Sequence, residues 1–380
     1  MVRMLVFFTI FLSLYGAEHL YIYKRLAPLL GSPLWLLVAF LVLVPLPLLS
    51  HLALHQGQLR VSQILGWIAF TWMGLAFLLF SCFLLADVLR LIAFLVTRSG
   101  AASIAFNPLL VNRWALGLAL LAGVGAFLIA RGLTVVRVPL QHPKLAGLER
   151  PLRVLQISDL HLGLLSSDAR IQRVADAARA LEPDLILCTG DLVDGPSALL
   201  QAQAAILADL HAPLGKFAVT GNHEAYSNPD AGRSTIEAAG FRLLRGEAVQ
   251  ILPGLSVAGI DDPTFIGRGP KAMDLEQGLL ASLPATDFRI LLKHQPILPE
   301  SSAGLMELQL SGHTHGGQIF PFGFLTSRAY PVRMGLSSPR EDFWLYLSRG
   351  TGSWGPPMRL PLSPELTLLE LSGPERPLAD

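Results

Sequence analysis

Acidic residues are almost missing from the first third of the chain. Residues 1–133 carry two, Glu18 and Asp87, against eight Lys or Arg, a net of +6. Residues 134–380 carry 26 against 21, a net of −5, and the two parts sum to the whole-chain +1. Charge is scarce overall, at 15% of residues against about 25% in ordinary globular chains. With 52% hydrophobic residues, that scarcity excludes intrinsic disorder. The mildly acidic second part argues against a nucleic-acid-binding surface, so no nucleic acid partner is expected. Cysteine is scarce too. Cys82 and Cys188 lie in different contexts, which excludes a disulfide framework and leaves the redox compartment open. Both read as small buried hydrophobes.

Long apolar runs stand where the charge is missing. A spanning helix needs about 20 mostly apolar residues to cross about 30 Å of hydrocarbon. Residues 26–59 contain no Asp, Glu, Lys or Arg and are interrupted by the kinking pair Pro45 and Pro47. Residues 61–86 are also uncharged, with Trp67 and Trp72 near one end as interfacial anchors. Residues 114–130 are bracketed by Arg113 and Arg131, which can snorkel. Residues 4–17 read as a first span extending towards Tyr23, or as the hydrophobic part of a signal peptide; the aromatic-basic YIYKRL that follows favours the span. Four spans are therefore expected within a helical region at 1–133, the alternatives being three or five. Asp87 and Arg90, at i, i+3 spacing, read as a helix end meeting headgroups, the alternative being an intramembrane functional pair. Five Lys/Arg face four across the membrane. Lys144, Arg150 and Arg153 tilt the count towards a cytoplasmic catalytic domain in a bacterial inner membrane.

From Leu133 the periodicity changes. LTVVRVPL predicts a strand within a lead-in and linker segment at 134–152, followed by a domain at 153–373 and a tail at 374–380. RVLQIS predicts a strand ending in SDLHLG, then an amphipathic helix over 167–181. DLILCTGD, KFAVTGNHE, RILLKHQP and LQLSGHTHGG repeat the pattern of apolar strand and polar tip, with a second helix at 198–210. FWLYLSRGTG and LTLLELSG close the chain as strands. Five strands thus deliver Asp, His or Asn at their carboxyl ends, the edge where ligands bind in open α/β folds.

Those tips hold Asp159, His161, Asp191, Asp194, Asn222, His223, His294, His313 and His315, including five of the chain's ten histidines. Imidazole with carboxylate suits Zn, Mn, Fe or Ni better than the oxygen-only sites of Ca or Mg. Alternate residues of an extended strand point to opposite faces, so D-x-H and H-x-H serve one site only where the strand has already ended. Gly163, Gly316 and Gly317 are expected to supply that freedom. Singly, D-x-H, GD and GNH are weak, and His294 alone reads as a satisfied core histidine. GHTHGG is stronger, because two close histidines among glycines make a poor core. Asp261-Asp262-Pro263 reads as a turn, and Gly352, Trp354 and Pro356-Pro357 as a turn or as part of a substrate cleft.

The ordered series DLH, GDLVD, GNHE, LKHQP and GHTHGGQ resembles the calcineurin-like metallophosphoesterase family, in a membrane-associated bacterial branch that includes lipid-headgroup pyrophosphatases. The likeness covers residues 151–373. It implies an α/β fold, a four-layer α/β/β/α sandwich, here preceded by an all-α membrane region of about four helices. It also implies a centre of two divalent cations (Mn, Zn or Fe). Carried over by motif, Asp159, His161 and His315 would hold one metal, Asn222, His294 and His313 the other, and Asp191 would bridge them. His223 would stand beside the substrate, oriented by Asp194. Glu224 departs from the usual Asp after GNH. The implied chemistry is in-line attack on phosphorus by a hydroxide that two cations make available, with His223 aiding the departing oxygen.

The implied function is membrane-anchored hydrolysis of a phosphodiester or pyrophosphate bond, in a phosphorylated and lipid-linked substrate such as UDP-2,3-diacylglucosamine, with the bilayer as partner. The alternatives are a membrane sensor or transport-associated protein that binds a phosphorylated ligand without turnover, and the same centre acting on wall polymers outside the cell.

Overall fold

The computed structural model describes residues 2–99, 107–195, 197–227 and 229–374. Of the expected tail, 375–380 lie outside the described residues. The chain divides into two compact units: Met1–Ile129 with Ile319–Pro321 and Gly355–Pro361, and Ala130–Gln318 with Phe322–Trp354 and Leu362–Asp380.

The first unit is helical. Among the described residues three segments are long and apolar enough to cross a membrane: Leu34–His55, Leu59–Arg98 and Pro108–Ala130. The first of these breaks between Leu43 and Leu46, beside Pro45, which has no N–H to donate to the helix ladder. Residues 4–17 lie within one continuous helix, Val2–Leu26, which is not among the three. The uncharged run 61–86 is only part of the 40-residue helix Leu59–Arg98, whose length of about 60 Å is roughly twice the hydrocarbon thickness. Ile22, Leu36, Phe40, Leu79, Phe83 and Ala119 pack this unit's interior. Asp87 does not end a helix. Its carboxylate takes Arg25 Nη2 at 2.5 Å, the Tyr21 hydroxyl at 2.6 Å and Arg90 Nη1 at 3.2 Å. Arg90 also donates to Asn112 Oδ1 at 2.8 Å, so the i, i+3 pair is one edge of a knot joining three helices. Cys82 is half-buried rather than buried, and both cysteines are free thiols.

The second unit is built on two six-stranded mixed sheets. The first runs Thr134–Gln141, Glu365–Ser372, Leu152–Ile157, Leu185–Cys188, Lys216–Ala218, Arg242–Leu243. The lead-in residues are therefore more than a linker, since Thr134–Gln141 pairs in parallel with the last strand along its whole length. The second sheet runs Gly335–Arg340, Phe343–Leu347, Leu308–Ser311, Phe288–Leu292, Leu255–Gly259, Glu247–Leu252. Strand alternation decides which side each residue serves. Leu155, Ile157 and Ile186 pack with Ile171 and Val174 of the helix Asp168–Ala180, with Leu200 of Ser197–Ala208 and with Ile236 of Pro229–Ala238. Val154, Leu185 and Leu187 instead meet Val257, Ile290 and Leu308 of the other sheet. Leu291, one residue on from Ile290, faces away towards Leu280 of the helix Pro270–Ala281.

At the amino ends of these strands, Glu307 is buried and accepts from Arg289 N at 2.7 Å, Arg289 Nη2 at 3.0 Å and Lys144 Nζ at 2.6 Å. Burial pushes its carboxyl up, but these donors outweigh burial and hold it below the usual range. A lowered carboxyl contributes stability above its unfolded value, about 4.3, and that contribution is lost as pH falls through the folded value. Glu307→Ala is expected to cost about 3 kcal/mol, because two cations lose their buried partner. Thermal midpoints should show a deficit near pH 7 that narrows in acid, with turnover unchanged. An equal deficit at every pH would sink the electrostatic account.

Candidate metal centre

The singled-out residues lie where strands of both sheets end. Asp159 and His161 follow Leu152–Ile157, Asp191 and Asp194 follow Leu185–Cys188, and Asn222 and His223 follow Lys216–Ala218. His294 follows Phe288–Leu292, and His313 and His315 follow Leu308–Ser311. Gly163, Gly316 and Gly317 take positive φ as expected, and five of the donors share it. Asp159, His161, Asp191, His313 and His315 all take positive φ, between 49° and 75°. For such residues the left-handed region costs about 1 kcal/mol or more each, a strain the surrounding hydrogen bonds must hold. The Asp159 and Asp191 loops are zipped by Asp159 N–H to Gly190 O and His161 N–H to Asp191 O, each at 3.0 Å. Two glycines permit the approach of chain to carboxylate. A Cβ on Gly221 would lie 2.1 Å from Asp191 Oδ1, and one on Gly312 2.1 Å from Asp159 Oδ2.

Two adjoining groups of donors result. Asp159, His161 and His315 form one, with His161 Nε2 and His315 Nε2 3.0 Å apart and Asp159 Oδ1 3.5 Å from the latter. Asp191, His294 and His313 form the other, with His294 Nε2 3.1 Å from Asp191 Oδ2, 3.2 Å from His313 Nδ1 and 3.2 Å from Asn222 Oδ1. Asp191 Oδ2 is also 4.0 Å from His161 Nε2, which places that one oxygen between the groups. The donor chemistry fits divalent cations: buried imidazole nitrogens face each other at about 3 Å, close enough for one ion to take both lone pairs. His294 Nδ1–H donates to Thr189 O at 2.8 Å, which turns Nε2 into the site.

Electrostatics follow this crowding. Burial pushes the Asp191 carboxyl up, but the charge and hydrogen bond of His294 outweigh it and hold the group well below the usual range. Burial lowers His294, and the Asp191 charge lifts it to about 10. Burial and the His294 charge push His313 down to about 4. His223 stands outside both groups with Nδ1 3.1 Å from Asp194 Oδ1. Burial disfavours its charge, yet the Asp194 hydrogen bond and the Asp191 charge raise it to about 9. Burial raises Asp194, and the His161 and His223 contacts bring it below the ordinary range. His161, Asp194 and His223 also meet as a third donor group.

Several residues support this site in ways the sequence did not disclose. Glu224 is buried and accepts three backbone N–H groups, from Gly221 at 2.7 Å, Val193 at 3.0 Å and Asp191 at 3.2 Å, tying the GNH loop to the GD loop. Burial and the Asp191 charge raise it to about 7. Asp261 and Asp262 are a buried brace rather than a surface turn. Asp261 Oδ1 accepts from the Thr220 hydroxyl at 2.9 Å, and Asp262 Oδ2 from Gln295 Nε2 at 2.8 Å, each beside a donor loop. The Tyr330 hydroxyl lies 2.9 Å from His313 Nε2. Gly352 passes so close that a Cβ would meet Leu160 O at 2.2 Å. Trp354 is 52% exposed with its ring 5.5 Å from that of His223, which favours the cleft reading of this segment.

Comparison with known proteins agrees with this geometry. The profile of the calcineurin-like phosphoesterase family matches residues 152–317. The chain is 36% identical to an uncharacterized metallophosphoesterase of Aquifex aeolicus over 223 residues, 58% of this chain and 85% of that one. It is 28% identical to an uncharacterized metallophosphoesterase of Campylobacter jejuni over 97% of this chain and 99% of that one. A Bos taurus protein named as a transmembrane protein with metallophosphoesterase domain is 31% identical over 80% of this chain and 73% of that one, so the likeness is not confined to a bacterial branch.

Proposed function

Because the chain belongs to the calcineurin-like metallophosphoesterase family, and is thereby a phosphoesterase, we propose that it hydrolyses a phosphodiester or pyrophosphate bond at a centre of two divalent cations. The observation that carries this reading is the convergence of seven donor residues in two groups that share Asp191 Oδ2, with the His223–Asp194 pair beside them. Asp159, His161 and His315 would hold one cation, Asn222, His294 and His313 the other, and Asp191 both. When bound, Mn, Zn or Fe ions supply charge neutralisation at the phosphoryl oxygens and a more acidic water. The chain's own residues do the rest. Asp194 fixes the His223 ring through Nδ1, leaving Nε2 to face the cleft and hand a proton to the departing oxygen. Glu224 keeps the two loops in register. Trp354 offers an apolar face beside His223.

The membrane-associated helical unit supports a lipid-linked substrate, of which UDP-2,3-diacylglucosamine is one, since anchoring keeps an enzyme near such a substrate. With Val2–Leu26 counted, the helical unit would make four spans. The excess of Lys and Arg after the last span favours a cytoplasmic catalytic unit, in a bacterial cell the inner membrane; a reporter fused after Asp380 tests this. Helix, sheet, sheet and helix sharing three successive apolar clusters support a four-layer sandwich.

The deciding measurement is hydrolysis of bis-p-nitrophenyl phosphate by the detergent-purified protein. Turnover should vanish on exhaustive chelation and return with added Mn or Zn. Turnover indifferent to metal removal would overturn the reading.

A further inference from the structure

Within the second unit lies a cavity of about 670 Å³, inside the range of small-molecule sites. Its walls combine two kinds of surface. Leu298, Val332 and Leu345 are apolar, Arg268 and Arg333 are cationic, and none of the lining residues is acidic. Among the described residues no ion pair ties either guanidinium to a carboxylate. The cavity abuts the metal centre through Tyr330, which lines it and whose hydroxyl meets both His313 Nε2 at 2.9 Å and Gln295 Oε1 at 3.0 Å. Arg268 Nη2 donates to the same Gln295 oxygen at 3.2 Å, and Gln295 follows His294 in the chain. One side-chain thickness therefore separates this space from the second donor group.

We propose that this cavity seats the non-reacting half of the substrate, an apolar body that carries a second anionic group, held by Arg268 and Arg333. The inference rests on the phosphoesterase reading and narrows its substrate class. A guanidinium pairs with phosphate and carboxylate alike in a planar, two-pronged geometry, and both arginines are exposed and so open to such a ligand. Two of them opening on apolar walls suit an amphiphilic anion, and a simple diester with one charge would leave them unused. Tyr330 positions this wall against His313 and is not assigned a proton-transfer role.

The test is calorimetric titration of hexyl phosphate into metal-stripped full-length protein, which reads binding without turnover. Wild type should bind hexyl phosphate about tenfold or more tightly than hexanol or inorganic phosphate, because hydrogen bonds to a charged group are worth about 1.5–3 kcal/mol. Arg268→Met with Arg333→Met should lose that advantage, and Arg333→Met alone should lose part of it. A far-UV circular dichroism spectrum and thermal midpoint matching wild type show that the double variant is folded. Hexanoate is the second arm: whichever of the two amphiphiles binds more tightly assigns the anionic group as phosphate or carboxylate. Equal affinity in wild type and double variant, or no preference over inorganic phosphate, would overturn the proposal. Failure of the phosphoesterase reading would instead show as absent turnover in Mn-loaded wild type, with the calorimetric result unaffected.

Discussion

Asp191→Ala is expected to lower turnover of bis-p-nitrophenyl phosphate by about 10³-fold or more, and bound metal should fall with it. Its Oδ2 is the single oxygen within 4.0 Å of His161 Nε2 in one donor group and 3.1 Å of His294 Nε2 in the other. Its Oδ1 accepts the His223 backbone N–H at 2.8 Å, so the same carboxylate also anchors the loop carrying His223. On the two-cation reading its removal would deprive both cations of a ligand, and a loss of about 4 kcal/mol in transition-state stabilisation corresponds to a thousandfold in rate. Metal content by elemental analysis, measured with turnover, checks the account. Unchanged content and rate would mean that Asp191 is structural. Asn222→Ala should do less, since Asn222 reaches only the His294 group.

How much of this was legible depends on where the information resides. DLH, GD, GNH, KHQP and GHTH are each local, a strand followed by a polar tip, so alternation and turn chemistry suffice to place their residues at strand ends. Glu224 is different: it stands out in the sequence only as the wrong acid, and its reach to the backbone of Gly221, Val193 and Asp191 exists only once two loops are side by side. Asp261 and Asp262 carry the signature of a turn because Asp-Pro does initiate a helix, with Asp262 capping Thr264 N at 2.8 Å. Their hold on Thr220 and Gln295 is long-range and leaves no spacing to read. Tyr330, 17 residues beyond His313, is likewise invisible without the fold. In the helical unit apolar length marked where helices run, but the partners of Asp87 lie 62 and 66 residues away and no i, i+3 rule could supply them. The left-handed backbone falls on the donors as well as on Gly163, Gly316 and Gly317, and no residue type at Asp159, His161, Asp191, His313 or His315 announces it.

His223→Ala should separate proton donation from metal chemistry. With Nδ1 engaged by Asp194, the ring presents Nε2, and the raised pKa of about 9 keeps it protonated near neutrality. Such a donor matters in proportion to how badly the departing oxygen needs a proton. An alkoxide needs one, and the variant is expected to lose about 10²–10⁴-fold on a diester with an alkyl leaving group. p-Nitrophenolate is stable as an anion in neutral water, so the loss on bis-p-nitrophenyl phosphate should be about tenfold or less, with bound metal unchanged. Asp194→Asn should follow the same pattern more weakly, since it removes the countercharge that holds the ring protonated while preserving its orientation. The comparison is made as a ratio of kcat/KM on the two substrates, which cancels differences in protein quality between preparations. Equal losses on both leaving groups would assign His223 to binding the phosphoryl oxygens instead. In that case the Asp194 contact would serve to place a positive charge, and lysine at position 223 should restore part of the rate where alanine does not.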